Sequence, residues 1–308
     1  MNGILILDKP EGFTSFDAIA VLRRLCQTHR IGHTGTLDPM ATGVLPILIG
    51  VAARAADLLP ETDKSYCAHF QLGITTDTQD ICGSVLKQTP CNISREQLET
   101  ACKSFRGLIL QTPPMYSALK RNGVPLYDLA RRGIEVEREA RPIFIADLTV
   151  NAYDETTGAG ILSIKCSKGT YIRTLIADIG AALGCGGIMT ALRRTFACGF
   201  SLSDAYSLEQ IREFSVNGLL PLHIRPVESL FSSYAAITVT ERQGIRFRNG
   251  GALDGARLPL SAPPADGTLL RIYSPTDSAS SRFLGLGRYV ASSNEVAVRK
   301  LFLVPEEN

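Results

Sequence analysis

Asp38 stands in the segment Gly32-His33-Thr34-Gly35-Thr36-Leu37-Asp38-Pro39, a short polar loop between apolar stretches that continues into Ala41-Thr42-Gly43-Val44-Leu45-Pro46. A single carboxylate in such a loop suits nucleophilic or electrostatic chemistry, provided that it is aimed. The glycines allow backbone angles closed to other residues. Pro39 fixes its own φ and biases Asp38 toward extended geometry. A bare Asp-Pro pair is an ordinary turn; the length of the pattern around this one argues for more.

The other groups with chemistry to offer are basic. Residues 160–200 hold Lys165, Lys168, Arg173, Arg193 and Arg194 against the single acid Asp178, a local positive stripe suited to RNA. Lys120, Arg121, Arg131, Arg132, Arg138 and Arg141 form a second cluster, diluted by Asp128, Glu135, Glu137 and Glu139. It reads equally well as RNA contact or as a solvated mixed-charge face. The net charge of +2 does not by itself announce a polyanion partner. Eight cysteines are scattered, no two within four residues of each other, and the four histidines show no ligand spacing, so no metal site is expected. A chain with 45% apolar and 20% charged residues and no low-complexity tract is a globular one. The N-terminus shows no basic patch leading into an apolar signal core, and the longest apolar run, 44–59, is broken by Pro46, Gly50, Arg54 and Asp57. A cytoplasmic protein with no membrane segment is therefore expected.

The elements that must position Asp38 follow from periodicity and caps. Residues 3–7 read as a buried strand. Ser15 reads as the N-cap of a helix with Asp17 in its first turn and Phe16, Ile19, Leu22 and Leu25 on one face. Residues 44–49 read as a central strand despite Pro46, and 51–59 as a short helix. Alternation of Tyr66, Ala68, Phe70 and Leu72 gives a half-buried strand ending at Gly73. Ser94 with Gln97, and Ser207 with Gln210, are capping boxes. Pro125 and Gly133 bracket a short helix, residues 143–150 and 160–166 read as strands, and a helix follows over 171–183. Beyond about residue 232 a capped helix at Thr240 and Gln243 and short strands among Gly, Pro and Ser turns suggest a small β-rich domain. The pattern predicts an α+β catalytic domain with a mixed, mainly antiparallel sheet over 1–232, and a separate unit over 233–308.

The Asp38 segment closely resembles the signature of the TruB family, pseudouridine synthases that modify position 55 of transfer RNA. The resemblance runs in order along the chain: Leu7-Asp8-Lys9-Pro10, Asp63-Lys64-Ser65-Tyr66, Thr76-Asp77-Thr78 with Asp80, Pro113 to Lys120, and Cys166-Ser167-Lys168-Gly169-Thr170-Tyr171-Ile172-Arg173. It implies isomerisation of a uridine, in which the C1'–N1 bond breaks, the base turns and a C1'–C5 bond forms, with no cofactor. The target base must be flipped from its loop. By motif position Asp38 matches the catalytic aspartate, attacking either C1' or C6, and Arg173 the arginine paired with it. Without the resemblance, Arg173 would read as a phosphate or surface arginine. Tyr66 matches the tyrosine that stacks on the flipped base, and His33 a residue that fills the vacated space. Tyr171 and Leu192 match positions lining the uracil pocket, and Asp80 joins the polar network around Tyr66 and Arg173. Lys9 supports the loop or contacts phosphate. Lys64, Lys120, Lys168, Arg193 and Arg194 are candidate phosphate contacts to the T-arm, which would fix register without reading sequence. The last strands, Leu269 to Tyr273 and Phe283 to Arg288, resemble a PUA-like RNA-binding barrel. The family suggests a monomer. The rival readings are a synthase for another RNA, a tRNA-folding chaperone, or a subunit of an RNA–protein particle.

Overall fold

The computed structural model describes residues 1–276 and 281–303. Its main sheet runs in the order Gly3–Lys9, Thr42–Ile49, Gly187–Ala197, Lys64–Leu72, Ala159–Cys166, Arg141–Asp154, Gly107–Gln111, with Ile31–His33 pairing onto Thr42–Ile49 and Phe200–Ser201 onto Gly187–Ala197. All pairs are antiparallel except Thr42–Ile49 with Gly187–Ala197, which makes the sheet mixed and mainly antiparallel, as predicted. Among the described residues six α-helices accompany the strands: α1 Ser15–Leu25, α2 Arg95–Ser104, α3 Leu126–Arg131, α4 Ile172–Ala182, α5 Leu208–Val216 and α6 Glu241–Arg248.

Successive side chains of a strand point to opposite faces, and the first strand shows what each face meets. Leu5 and Leu7 join a core with Ala18, Ile19 and Leu22 of α1, Leu175 and Ile176 of α4, and Ile211 of α5. Ile4 and Ile6 join a second core with Phe231, Phe283, Leu286 and Phe302. The strand is covered on both sides, which is why its sequence is a continuous apolar run. The second core also carries Val44 and Leu48, so packing crosses from the main sheet to the C-terminal part of the chain. That part is a five-stranded sheet in the order Ala236–Thr238, Leu269–Pro275, Ser281–Val290, Glu295–Leu301, Leu253–Asp254, with α6 beside it.

Several local expectations shift by small amounts. The N-cap of α1 is Thr14, because Asp17 at the third helical position reaches back to Thr14 and completes a capping box there. Ser15 is thereby inside the helix and buried, and Phe16 is 65% exposed rather than in the core. Residues 50–55 form a 3-10 turn in place of the longer helix predicted. Pro125 caps α3 from outside its first turn. The strand Gly187–Ala197 was not predicted at all. Register shifts at 189/191 and 194/196 break its alternation, so no period of two survives in the sequence. Gly43 lies beside it with φ +103°, and a Cβ there would stand 2.2 Å from the Arg194 carbonyl oxygen. Only glycine lets these two parallel strands approach so closely.

Candidate active site

The loop carrying Asp38 is pinned from several directions. Ser15 Oγ accepts from the Leu37 amide at 2.9 Å and donates to the Leu37 carbonyl at 3.2 Å. The Pro39 carbonyl accepts from the Gly12 amide at 2.9 Å and from Lys9 Nζ at 3.4 Å. His33 Nδ1 accepts from the Gly35 amide at 3.2 Å, which leaves the ring proton on Nε2 in the neutral form. Burial, then the nearby Arg194 charge, holds His33 below the usual histidine range. Any contact His33 makes near neutral pH is therefore not ionic.

Arg173 enters from the first turn of α4. Its Nε lies 3.0 Å from Asp38 Oδ2 and its Nη2 3.4 Å from Asp38 Oδ1, a two-pronged pairing. The same guanidinium donates to the Thr78 carbonyl at 3.1 Å and the Tyr116 carbonyl at 2.8 Å, and Nη1 stands 3.7 Å from Asp80 Oδ2. Asp80 is itself fixed, its Oδ1 accepting from Thr78 Oγ1 at 2.6 Å and from the Cys82 amide at 3.0 Å. Arg173 is only 5% exposed, while the Asp38 side chain keeps 37% of its surface open. Burial raises the Asp38 carboxyl above its ordinary value; Arg173 is the largest opposing influence.

These groups border a cavity of about 260 Å³ lined by Asp38, Lys64, Tyr66, Tyr171, Arg173 and Leu192, among others. That volume is near the low end of the ~300–1,000 Å³ typical of ligand pockets, and fits a single nucleoside better than a larger ligand. Tyr66 projects from the Lys64–Leu72 strand and is 8% exposed; burial pushes its phenol up to about 12, so it stays protonated near neutral pH. Tyr171 is raised by burial as well, and burial lowers Lys64. The Tyr171 backbone is clasped by Gln111, whose Oε1 accepts from its amide at 2.9 Å and whose Nε2 donates to its carbonyl at 3.1 Å.

A sequence model described as "TruB family pseudouridylate synthase (N terminal domain)" matches residues 23–172, and one described as "tRNA pseudouridylate synthase B C-terminal domain" matches residues 173–232. A protein named tRNA pseudouridine synthase B from Azoarcus sp. (strain BH72) is 42% identical over 294 residues, covering 95% of this chain and 93% of the relative. The chain belongs to the TruB family. Another relative of the same name, from Clostridium perfringens (strain 13 / Type A), is 42% identical over 289 residues, covering 94% of this chain and 95% of that one. Among solved structures, a Cbf5-Nop10-Gar1 complex superposes with a TM-score of 0.72 at 25% identity over 98% of this chain and 85% of that chain. An H/ACA RNP bound to a substrate RNA containing 2'-deoxyuridine gives 0.72 at 22% identity, over 99% and 86%; at that identity the likeness is one of fold. The boundary between the two family models falls at α4. The TruB chain therefore takes the central strand Gly187–Ala197 of its main sheet from the second matched region.

Of the residues singled out from sequence, the TruB fold brings Asp38, Lys64, Tyr66, Tyr171, Arg173 and Leu192 to one cavity and sets Asp80 behind Arg173. His33 stands on the neighbouring strand and Lys168 on the exposed turn before α4. Of the two readings of Lys9 the structure bears out loop support, and Arg194 is corrected as a phosphate contact. Lys9 is fully buried, its Nζ donating to the carbonyls of Pro10, Phe13 and Pro39. It supports the loop and cannot reach a phosphate. Arg194 is also fully buried, and Arg193 is paired with Asp8 at 2.7 Å. With Arg173 inside as well, the stripe expected over 160–200 is reduced to exposed Lys165 and Lys168 and a partly exposed Arg193 that is paired with Asp8.

Sequence reasoning missed Gln111 and the anchoring role of Ser15. Gln111 shares the inward parity of Ile109 on its strand, and a polar side chain at a core position is the signal that could have found it. For Ser15, a test follows from its two bonds. Ser15→Ala strands the Leu37 amide in a buried setting, at a cost of about 1–3 kcal/mol, and loosens the loop one residue from Asp38. Thermal melts should shift down and the single-turnover rate should fall about tenfold. A variant that melts with the wild type would show that the loop is held elsewhere.

Proposed function

We infer that this chain isomerises uridine 55 in the T-loop of transfer RNA to pseudouridine. The observation that carries the reading is the Asp38 carboxylate, paired with a buried Arg173 and opening on a nucleoside-sized cavity. In the proposed reaction the uridine is extruded from its loop, at a cost of a few kcal/mol, and stacks on Tyr66. Tyr171 and Leu192 border the base. Asp38 acts as the nucleophile, forming a bond to C1' of the ribose or C6 of the base; the C1'–N1 bond breaks, the base turns, a C1'–C5 bond forms, the bond to Asp38 is released, and the proton lost from C5 is balanced by one gained at N1. Arg173 keeps Asp38 ionised in a site whose burial works against it.

The proposal divides the chain into a catalytic domain over 1–232 and a PUA-like RNA-binding domain over 233–308, acting as a cytoplasmic monomer without metal or cofactor. Lys64 and Lys168 serve as phosphate contacts, and His33 fills the space left by the base.

The experiment is tritium release from unmodified tRNA labelled with [5-³H]uridine, beside a transcript in which U55 is replaced by C. Release that vanishes with the U55C transcript is the expected result. Release that persists keeps the chemistry and moves the target. Tight tRNA binding with no release overturns the assignment in favour of a folding chaperone.

A further inference from the structure

Arg194 is the bulkiest of the fully buried side chains among the described residues. Its Nε donates to the Val44 carbonyl at 2.7 Å and its Nη2 to the Gly35 carbonyl at 3.2 Å, while Nη1 is buried and completes no hydrogen bond. Among the described residues no carboxylate pairs with it, in contrast to Arg173 and Arg193. Arginine does not shed its proton in a protein, so a full charge sits inside the fold without a counter-ion. An arrangement of this kind is costly, and an apolar side chain of similar volume often serves stability as well or better. Fold stability alone does not account for it.

Its neighbours locate its effect. In the antiparallel pairing of Gly187–Ala197 with Lys64–Leu72, Arg194 lies directly opposite Tyr66, and such residues stand side by side on one face of the sheet. Gly35, whose carbonyl it holds, forms the cavity wall together with Tyr66. The guanidinium thus joins the tyrosine to the near end of the Asp38 loop from behind that wall, without lining the cavity itself.

We propose that Arg194 is a positioning residue for the isomerisation, acting through Tyr66: it holds the Gly35 carbonyl at the near end of the Asp38 loop and sets its charge beside Tyr66, its cross-strand neighbour. The inference rests on the reading of Tyr66 as the residue on which that base stacks. The charge opposes the effect of burial on the Tyr66 phenol and biases His33 and Lys64 toward their neutral forms.

The test is a double-mutant cycle with Arg194→Met and Tyr66→Phe, read by single-turnover tritium release at saturating tRNA over hours, with tRNA affinity and thermal melts measured beside it. Arg194→Met is expected to lower the rate about 100-fold with affinity within about 3-fold of wild type, and to cost less than about 3-fold when Tyr66 is already Phe. Equal losses in both backgrounds, or a loss confined to affinity, would overturn the inference. If Arg194→Met does not fold, Arg194→Lys takes its place, since it keeps the charge and loses the planar fork. About a tenfold loss is then expected with Tyr66 present and none with Phe there, and equal losses again overturn it. A wild-type chain that releases no tritium would remove the functional reading and this inference together. Normal wild-type release with equal losses removes this inference alone.

Discussion

Asp38→Asn is expected to lower the single-turnover rate of uridine isomerisation by at least ~10⁴-fold, the scale of removing a nucleophile that works as part of a unit, while tRNA affinity stays within about 3-fold of wild type. Asparagine has the shape of aspartate and keeps an oxygen facing Arg173, so the loop, pinned by Ser15, Lys9 and Gly12, has no reason to move. What disappears is the charge and the nucleophile. Stability should go the other way. Because burial raises the Asp38 carboxyl above its ordinary value of 3.8 despite Arg173, the fold favours the protonated form. That contribution is fully present below the unfolded-state value and is lost as pH rises through the folded one. At pH 7 ionised Asp38 is therefore a net cost, and the Asn variant should melt at the wild-type temperature or above it, the difference closing on acidification. Wild-type turnover should fall on the acid side at a pH above 3.8 as Asp38 protonates. A variant that keeps a hundredth or more of the wild-type rate would displace Asp38 from the chemistry.

Arg173→Met is expected to damage stability and rate together. The side chain is 5% exposed and holds Asp38, the carbonyls of Thr78 and Tyr116, and the flank of Asp80. Removing one partner of a buried ion pair leaves uncompensated charge behind, at a cost of about 3–5 kcal/mol. Asp80 bears most of that, being 6% exposed. The loss of Arg173 also removes the main influence opposing the rise of the Asp38 carboxyl, so the acid limb of the rate profile should move to higher pH. Arg173→Lys restores the charge but not the fork, and should recover stability better than rate. An acid limb that does not move in either variant would mean that Arg173 does not control the ionisation of Asp38.

Much of this architecture was legible because its signals are local. The capping boxes at Ser94 and Ser207 need only four residues each to be read, and both form. The alternation of Tyr66, Ala68, Phe70 and Leu72 lies on one strand with one buried face, so its period survives. Ser15 and Thr14 are both capping residues, and the choice between them lay in where Asp17 could reach. The strand Gly187–Ala197 failed for the opposite reason, its two bulges erasing the pattern. That failure carried a second one with it. Without the strand, Arg193 and Arg194 read as neighbours on a basic surface, whereas one pairs with Asp8 and the other faces Tyr66 in the interior. The family signature pointed to the cavity and to Lys9 as a support of its loop, but Gln111 and Ser15, which also hold it in shape, owe their roles to contacts between distant segments.

The insertion of Gly187–Ala197 between two strands from the first quarter of the chain also sets an order of events during synthesis. A nascent chain that has emerged as far as residue 170 already carries Asp38 and Tyr66 but lacks α4 and the strand that separates Thr42–Ile49 from Lys64–Leu72. Pairings of such long sequence separation are slow to form and leave edges open in the meantime. The carboxylate gains Arg173, and Tyr66 the second of its cross-strand neighbours, Arg194, only with these later residues. A partly made protein therefore carries the Asp38 carboxylate without the arginine that pairs with it or the strand that completes the cavity wall.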